Sequence, residues 1–129
     1  MSLCLLVVDS DLGFAFWLAQ VLDDAGYEAF PARETQAALV LLHEMPPLQS
    51  NLRMIIIRSD QPGARHLIAQ CRRSQPGLRV IWLRDPADGL AEEPETHDIQ
   101  LFKPADAAAP ECKALLVTIE RLLALRPTG

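Results

Sequence analysis

The sequence lacks the features that mark secreted, metal-binding or membrane-spanning proteins. Its three cysteines, Cys4, Cys71 and Cys112, stand far apart, without a CxxC motif or a cysteine–histidine pair at metal-ligand spacing. The odd number of cysteines and the absence of a secretory signal fit a reducing cytoplasm, where we expect the three thiols to pack in the core. The apolar run at residues 3–8 is far too short to span a membrane.

Basic residues are scarce, and lysines most of all. Lysine and arginine together number 12 against 17 aspartates and glutamates, which gives a formal net charge of −5, and Lys103 and Lys113 are the only lysines. This balance argues against direct binding to nucleic acid, whose partners present a basic surface. Half of the 129 residues are hydrophobic, so the chain can fill the core of one domain. We place that domain at residues 1–125 and treat residues 126–129 as a tail or the start of a linker.

Short apolar runs alternate with helical periodicity along the chain. Strands are predicted at residues 3–8, 27–31, 54–57, 78–83 and 98–102. Helices are predicted between the first two strands, at residues 34–44, between the turns at 60–63 and 75–77, and at 111–125. Residues 45–51 indicate a proline-containing connector, and residues 85–97 indicate a short or missing helix. This alternation predicts a parallel sheet that is covered by helices on both faces.

In such a sheet the working crevice lies beyond the carboxyl ends of the strands. The pattern alone therefore directs attention to four places, which are residues 9–11, 58–60, 84–85 and 103–104. The sequence has no glycine-rich phosphate loop, nucleophile–base pair or cofactor fingerprint, so we expect no enzyme activity and assign no catalytic residue. His43, His66 and His97 lack partners at triad or metal-ligand spacing, and we expect them at the surface.

The motifs along the chain occur in the order and spacing of a known family. They are LVVDSD at residues 6–11, AGYE at 25–28, PG at 62–63, IWL at 81–83 and LFKP at 101–104. Over nearly the whole chain they resemble the receiver domains of two-component response regulators. The resemblance implies a CheY-like, flavodoxin-like α/β fold, a three-layer sandwich around a five-stranded parallel sheet of order 2-1-3-4-5. The composition of residues 86–94 predicts a shortened or irregular fourth helix in that fold.

Receiver domains bind Mg²⁺ through acidic residues after the first strand and accept a phosphoryl group on an aspartate at the end of the third. A threonine or serine ends the fourth strand, a lysine ends the fifth, and an aromatic residue on the fifth strand moves with the switch. Matched to this sequence, these positions are Asp9 and Ser10 with Asp11 beside them, then Arg58, Arg84, Lys103 and Gln100. Only Asp9 and the Lys103–Pro104 pair keep the family's residues.

These departures imply a degenerate receiver, a pseudo-receiver that lacks the phospho-acceptor aspartate. A guanidinium such as that of Arg58 stays charged at any working pH and cannot accept a phosphoryl group by this chemistry. Arg58, Lys103 and Arg84 also put fixed positive charge where a divalent cation would bind, so we expect Mg²⁺ binding to be lost and no cofactor to be needed. We further expect Arg58 to bridge to Asp9 and lock the site in one state.

Several alternatives stay open at these positions. Asp9 and Lys103 could persist only as a buried ion pair inherited with the fold. The Lys103–Pro104 pair could serve only to turn the chain, and the resemblance implies a cis peptide there. Asp60 is either a displaced phospho-acceptor or a helix-capping or solvated loop residue. Arg84, at the start of a loop, points either into the crevice or into solvent.

The resemblance implies a role in bacterial two-component signal transduction. We expect a cytoplasmic, phosphorylation-independent interaction module whose partner is a signalling protein or a fused output domain. A homodimer is a further option, and we expect no membrane contact and no direct nucleic-acid contact. The irregular segment at 86–94 remodels the face on which receivers commonly dimerise, so the first and last helices, including Trp17, are an alternative contact surface. As a second hypothesis, Arg58, Arg84 and Lys103 form a crevice that senses a small phosphorylated ligand or nucleotide.

Overall fold

Strands and helices alternate through the part of the chain that the computed structural model describes, which is residues 3–85, 99–104 and 110–124. The strands are β1 (Cys4–Val8), β2 (Glu28–Ala32), β3 (Leu52–Arg58), β4 (Arg79–Arg84) and β5 (Ile99–Phe102). The helices are α1 (Leu12–Asp24), α2 (Thr35–Glu44), α3 (Pro46–Asn51), α4 (Ala64–Ser74) and α5 (Pro110–Ala124). The predicted alternation of strands and helices is confirmed over these ranges.

The strands lie in one parallel, five-stranded sheet of order β2-β1-β3-β4-β5, which confirms the predicted topology. The apolar runs of β1 and β3 are buried on both faces, as central strands covered by helices on two sides require. At the ends of strands β1, β3, β4 and β5, the register pairs Val8 with Ile57, Arg58 with Leu83, and Arg84 with Phe102. The carboxyl ends of these strands therefore meet along one side of the sheet, which we call the carboxyl edge.

The sheet divides the hydrophobic core into two clusters. On one face, Leu6 and Val8 of β1 pack with buried residues from α2, α3 and α4. On the other face, Leu5 and Val7 pack with buried residues from α1 and α5. One strand serves both clusters because successive side chains along a strand point to opposite faces.

All three cysteines are free and buried, as the sequence predicts. Desolvation by burial raises the pKa of the Cys4 and Cys71 thiols to about 11. Both are therefore protonated at neutral pH and lack the thiolate that nucleophilic or redox chemistry needs.

Residues 46–51 form a helix, where the sequence predicted only a connector. Pro46 and Pro47 occupy the start of α3, where the N–H group that proline lacks has no partner within a helix. Leu48 is fully buried in the cluster shared with α2 and α4, and the Gln75 side-chain amide donates to the Ser50 carbonyl at 2.8 Å. The prolines therefore begin a helix here instead of preventing one.

Two predictions fall outside the described residues, namely the shortened fourth helix at 86–94 and the tail at 126–129. Inside them, the Lys103–Pro104 peptide bond is trans, so the predicted cis bond is wrong. None of the helices in the described ranges is long and apolar enough to cross a lipid bilayer.

Candidate functional site

Backbone hydrogen bonds extend the sheet past the strand ends and fix the loops at the carboxyl edge. The Asp9 N–H donates to the Ala32 carbonyl at 3.0 Å, and the Ser59 N–H donates to the Leu83 carbonyl at 2.9 Å. The Lys103 N–H donates to the carbonyl of Arg84, the last residue of β4, at 2.7 Å. The residues that the sequence singled out are thus held on neighbouring strand ends, where their side chains can meet.

A buried ion pair between Asp9 and Lys103 lies at the centre of this edge. The Lys103 Nζ lies 3.0 Å from Asp9 Oδ2 and 3.2 Å from Asp9 Oδ1. The Asp9 side chain is 1% exposed and that of Lys103 is 13% exposed. The contact to Oδ2 has ion-pair distance without hydrogen-bond geometry. The ammonium also lies 4.6 Å from the centroid of the Phe14 ring, a cation–π arrangement. This pair joins β1 to the end of β5.

Asp11 adds a second carboxylate to the pair and begins helix α1. Its Oδ2 lies 3.5 Å from the Lys103 Nζ, while its Oδ1 accepts a hydrogen bond from the Phe14 N–H at 3.2 Å as the N-cap of α1. The Asp11 N–H in turn donates to Asp9 Oδ1 at 2.9 Å. The hydrogen bond from Phe14, and then the Lys103 charge, lower the pKa of Asp11 below its usual value. The helix cap and the ion pair are therefore one connected network.

Arg58 pairs with Asp60 and not with Asp9, so the expected bridge between Arg58 and Asp9 is wrong. Its Nε lies 3.3 Å from Asp60 Oδ1, and its Nη2 lies 3.2 Å from Asp60 Oδ2. Asp60 is two residues away in the same loop, whereas Asp9 is held by Lys103. The Asp60 hydrogen bonds, with smaller contributions from the charges of Asp9 and Asp85, raise the pKa of Arg58 further. A permanently cationic group therefore ends β3.

Asp60 does not cap the helix that follows it. Helix α4 begins after Gly63, which has a φ of 76° and provides no side-chain cap. The Asp60 side chain is 64% exposed and contacts Arg58. Of the readings that the sequence left open, the capping role is wrong and a solvated loop residue with a cationic neighbour fits.

The loop that carries Asp60 is tied to the neighbouring loop after β2. The Thr35 hydroxyl donates to the Pro62 carbonyl at 2.7 Å, and the Gln61 side-chain amide donates to the Arg33 carbonyl at 3.3 Å. A Cβ at Gly63 would lie 3.2 Å from the Thr35 Oγ1, and the positive φ at this position also favours glycine. The two loops are thereby fixed to one another.

Arg84 is buried, so its solvent-facing alternative is wrong. The residue is 8% exposed at the end of β4, and its Nε has no hydrogen-bond partner among the described residues. An unpaired buried donor is costly, because it gives up water without gaining a replacement. The sequence could not reveal this burial, since arginine at a strand end is ordinarily exposed.

The other residues that the sequence analysis named do not lie together in one site. Ser10 is exposed in the loop after β1, and Gln100 lies half-buried within β5, paired in register with Trp82. His43 and His66 are exposed, as the sequence predicts, and His97 lies outside the described residues. The structure thus brings together Asp9, Asp11 and Lys103 as one cluster and Arg58 with Asp60 as another.

The residues present at the carboxyl edge do not fit a Mg²⁺ site. Mg²⁺ requires several oxygen ligands in near-octahedral geometry, but both carboxylates beside β1 contact the Lys103 ammonium, and Arg58 ends β3. Across residues 3–85, 99–104 and 110–124, no three histidine, cysteine or acidic side chains are grouped as metal ligands. Fixed ammonium and guanidinium groups supply the positive charge at this edge.

Sequence reasoning missed two members of these clusters. Phe14 lies under the Lys103 ammonium, and the ring face that makes this contact gives no signal in a sequence pattern. The sequence offers Asp60 as a displaced acceptor, a helix cap or a solvated loop residue, but does not single it out as the partner of Arg58. The spacing of two residues between opposite charges is a signal that could have found this pair.

No protein-family model and no curated protein matches the sequence. Among solved structures, a receiver domain of the hybrid histidine kinase CckA is similar with a TM-score of 0.70 and 21% identity, over 93% of this chain and 98% of that one. The signal receiver domain of an HD domain-containing protein from Pseudomonas fluorescens has a TM-score of 0.67 and 25% identity over 95% of both chains. The non-phosphorylated HemR receiver domain from Leptospira biflexa has a TM-score of 0.66 and 18% identity over 99% of both. The chain therefore has the fold of CheY-like response-regulator receiver domains.

Proposed function

We propose that this chain is a degenerate receiver domain, a pseudo-receiver, which acts in bacterial two-component signal transduction as a phosphorylation-independent interaction and regulatory module. The observation that carries the proposal is Arg58, which ends β3 where the family resemblance puts the phospho-acceptor aspartate. The receiver fold of the similar structures supports the signalling role. The charges at the carboxyl edge support its independence from phosphorylation.

Phosphotransfer to this site would need an oxygen nucleophile at the end of β3. An acyl phosphate forms only on a carboxylate, and the guanidinium of Arg58 stays protonated at any working pH, while the neighbouring Asp60 raises its pKa further. In receivers, the lysine at this position reaches the phosphoryl oxygens. Here the Lys103 ammonium contacts Asp9 and Asp11 instead. We therefore expect that this site lacks the acceptor carboxylate, a lysine available to the phosphoryl oxygens, and the Mg²⁺ that assists the transfer.

The same contacts support a domain held in one state. Lys103 joins the end of β5 to the end of β1, and Asp11 joins that pair to the first turn of α1. A module of this kind presents its partner surface permanently, to a signalling protein or to a fused output domain. We place it in the cytoplasm, without enzyme activity and without direct contact to membrane or nucleic acid.

The test is incubation with acetyl phosphate and Mg²⁺, followed by intact mass spectrometry. A receiver domain that has the acceptor aspartate serves as the positive control. We expect this chain to keep its mass while the control gains a phosphoryl group, and calorimetric titration to show no Mg²⁺ binding in the millimolar range. A phosphorylated product would overturn the proposal, and loss of that product in Asp60→Asn would identify Asp60 as a displaced acceptor.

Arg84 supports one alternative, a sensor of a small phosphorylated ligand or nucleotide at the crevice of Arg58, Arg84 and Lys103. Its buried Nε lacks a hydrogen-bond partner in the part of the chain that the structure describes, and a phosphate oxygen would satisfy it. The alternative is the weaker of the two, because Arg58 and Lys103 already pair with carboxylates. A thermal-shift screen of nucleotides and sugar phosphates tests it. Stabilisation that is lost in Arg84→Gln supports the sensor, and the absence of any shift overturns it.

A further inference from the structure

Helix α4 has an exposed side that is basic, and none of its 11 residues is acidic. Its other side is buried against the sheet through four residues, which are Ala64, Leu67, Ile68 and Cys71. Arg65, Ala69 and Arg73 are exposed on the side that faces away from the sheet. We call these three residues the basic face.

The basic face is a line of residues along the helix. Arg65, Ala69 and Arg73 follow one another at four-residue intervals, so their side chains leave the helix in nearly the same direction. The Cα atoms of the two arginines are about 12 Å apart, since each residue adds about 1.5 Å to a helix. The small side chain of Ala69 leaves room for another chain to lie close to the helix between the two guanidinium groups.

Arg53 adds a positive charge near the end of α4. The Gln75 side-chain amide, just after α4, donates to the Ser50 carbonyl at 2.8 Å, which holds the end of α3 beside the end of α4. Arg53 follows shortly after Ser50, at a β-bulge where the register of β3 leaves it unmatched in β1, and its side chain is exposed. Two chain segments therefore contribute positive charge at this end of the basic face.

The arginines of this surface are not neutralised within the described part of the chain. The ion pairs among the described residues lie at the carboxyl edge, and Arg53, Arg65 and Arg73 take part in none of them. Glu34 and Glu44 flank helix α2 on the same side of the sheet, but they form no ion pair with these arginines. The positive charge of the basic face is therefore available to another molecule.

Helix stability accounts for Arg73 but not for Arg65. The last turn of a helix carries partial negative charge, which favours a basic residue such as Arg73. Arg65 lies in the first turn, where the partial charge is positive and acidic residues are preferred. That turn of α4 has no acidic residue, and Gly63 before it provides no side-chain cap. Arg65 is thus unfavourable for the helix, and a contact with a partner would offset that effect.

We propose that the basic face of α4, with Arg53 beside its end, docks an acidic segment of a partner protein whose carboxylates pair with Arg65 and Arg73. The inference rests on the proposed role as an interaction module, and it names the chemistry of the partner. A guanidinium pairs with a carboxylate through two parallel hydrogen bonds, which fix the orientation of the two groups. Because the arginines lie about 12 Å apart, a segment with two carboxylates at that separation would contact both of them.

A short acidic segment fits this face better than a nucleic acid or a second copy of the chain does. Helix α4 has 11 residues and is therefore only about 16 Å long. A polyanion that extends beyond it would be repelled by the net charge of −5 on the whole chain. A second copy is less suited because Asp23 and Asp24, its adjacent exposed carboxylates, already accept hydrogen bonds within their own chain.

Titration of the isotope-labelled chain with a synthetic peptide, followed by NMR shifts of the backbone amides, tests the proposal. The peptide carries a glutamate at every fourth position, and the same peptide with glutamines is the uncharged control. We expect only the acidic peptide to shift the amides of α4 and of Arg53, with an affinity that falls as salt is added. Arg65→Glu/Arg73→Glu should weaken binding by about tenfold or more, whereas Arg65→Lys/Arg73→Lys should keep most of it.

Lys113→Glu/Arg121→Glu is the matched control. Lys113 and Arg121 are exposed on α5 with the same spacing as Arg65 and Arg73, and α5 packs on the other face of the sheet. The double variant therefore makes the same change of charge away from α4, and we expect it to bind the acidic peptide as the wild type does. Equal weakening by the two charge reversals would show that the peptide responds only to net charge, and the proposal would be wrong.

Other outcomes would also contradict the proposal. The absence of amide shifts at low ionic strength is one, and shifts confined to elements other than α4 and the start of β3 are another. An oligonucleotide of equal charge that binds more tightly through Arg65 and Arg73 would show that the face recognises nucleic acid instead. Phosphorylation of the chain by acetyl phosphate would overturn the proposed function whether or not the peptide binds, so the two failures are distinguishable.

Discussion

The two edges of the sheet differ in whether their charged residues form ion pairs within the chain. At the carboxyl edge, Lys103 contacts Asp9 and Asp11, and Arg58 contacts Asp60, so opposite charges are paired within the chain. At the amino edge, where the strands begin, Asp23 and Asp24 instead accept hydrogen bonds from neutral groups of their own chain, and Arg53 has no ion-pair partner among the described residues. In an α/β sheet the carboxyl edge is the usual place for a ligand. Here that edge carries ion pairs within the chain, whereas none of the ion pairs among the described residues lies at the amino edge.

The carboxyl edge itself contains two ion pairs of different kinds. Asp9 and Lys103 are almost fully buried, whereas Asp60 is 64% exposed. A buried carboxylate depends on its counter-charge, because it has given up its water. An exposed pair is screened by solvent and contributes little. Single substitutions in the two pairs should therefore change the free energy of unfolding by different amounts. Substitutions at the amino edge should change it least.

The largest effect is expected for Lys103→Met. The substitution keeps the length and apolar stem of the side chain but leaves the Asp9 carboxylate, 1% exposed, without its counter-charge. We expect the free energy of unfolding in urea to fall by about 3–5 kcal/mol. Lys113→Met is the matched control, since Lys113 is exposed on α5. A fall of similar size in both variants would show that the burial of Lys103 is not what matters.

A smaller effect is expected for Asp11→Ala. It removes the side chain that accepts the Phe14 N–H at the start of α1, and loss of an N-cap costs about 1 kcal/mol of unfolding free energy. Asp11→Asn keeps a capping oxygen and is expected to restore most of this loss at neutral pH. Equal destabilisation by the two variants would mean that the contact with Lys103, and not the cap, is the main contribution of Asp11.

Acidification distinguishes the charge of Asp11 from its capping oxygen. The folded-state pKa of Asp11 lies below its usual value of 3.8, because Phe14 and Lys103 stabilise the carboxylate. That stabilisation is present above the unfolded pKa and is lost as the pH falls through the folded pKa. The wild type should therefore be more stable than Asp11→Asn at neutral pH, and the difference should vanish in acid. A difference that persists in acid would rule out the charge as its origin.

Arg58→Ala is expected to have little effect on stability. Its partner Asp60 is exposed, so breaking the pair should cost about 1 kcal/mol or less in unfolding free energy. Asp60→Ala should cost the same amount, and the double variant should show little additional loss if the two residues act only through each other. A loss as large as that of Lys103→Met would indicate that Arg58 also stabilises Asp9, through the same charge interaction by which Asp9 raises the pKa of Arg58.

The fold could be predicted from the sequence because its signals are local. The continuous apolar runs of β1 and β3 indicate strands buried on both faces, and the order of the motifs indicates the sheet topology. Helix α3 was missed because two prolines usually interrupt a helix, although they are tolerated in its first turn. Side-chain partners were less predictable. In the sequence, Asp9 and Asp60 are both possible partners of Arg58. Only the three-dimensional arrangement shows that Asp9 pairs with Lys103.

The smallest effect on stability is expected at the amino edge, and this makes it the sharpest test of the contrast between the edges. Arg53 is exposed at a bulge and has no ion-pair partner in the described part of the chain, so Arg53→Glu should change the unfolding free energy of the monomer by no more than about 0.5 kcal/mol. A larger loss would mean that Arg53 stabilises its own chain, and the two edges would then differ less than their ion pairs indicate.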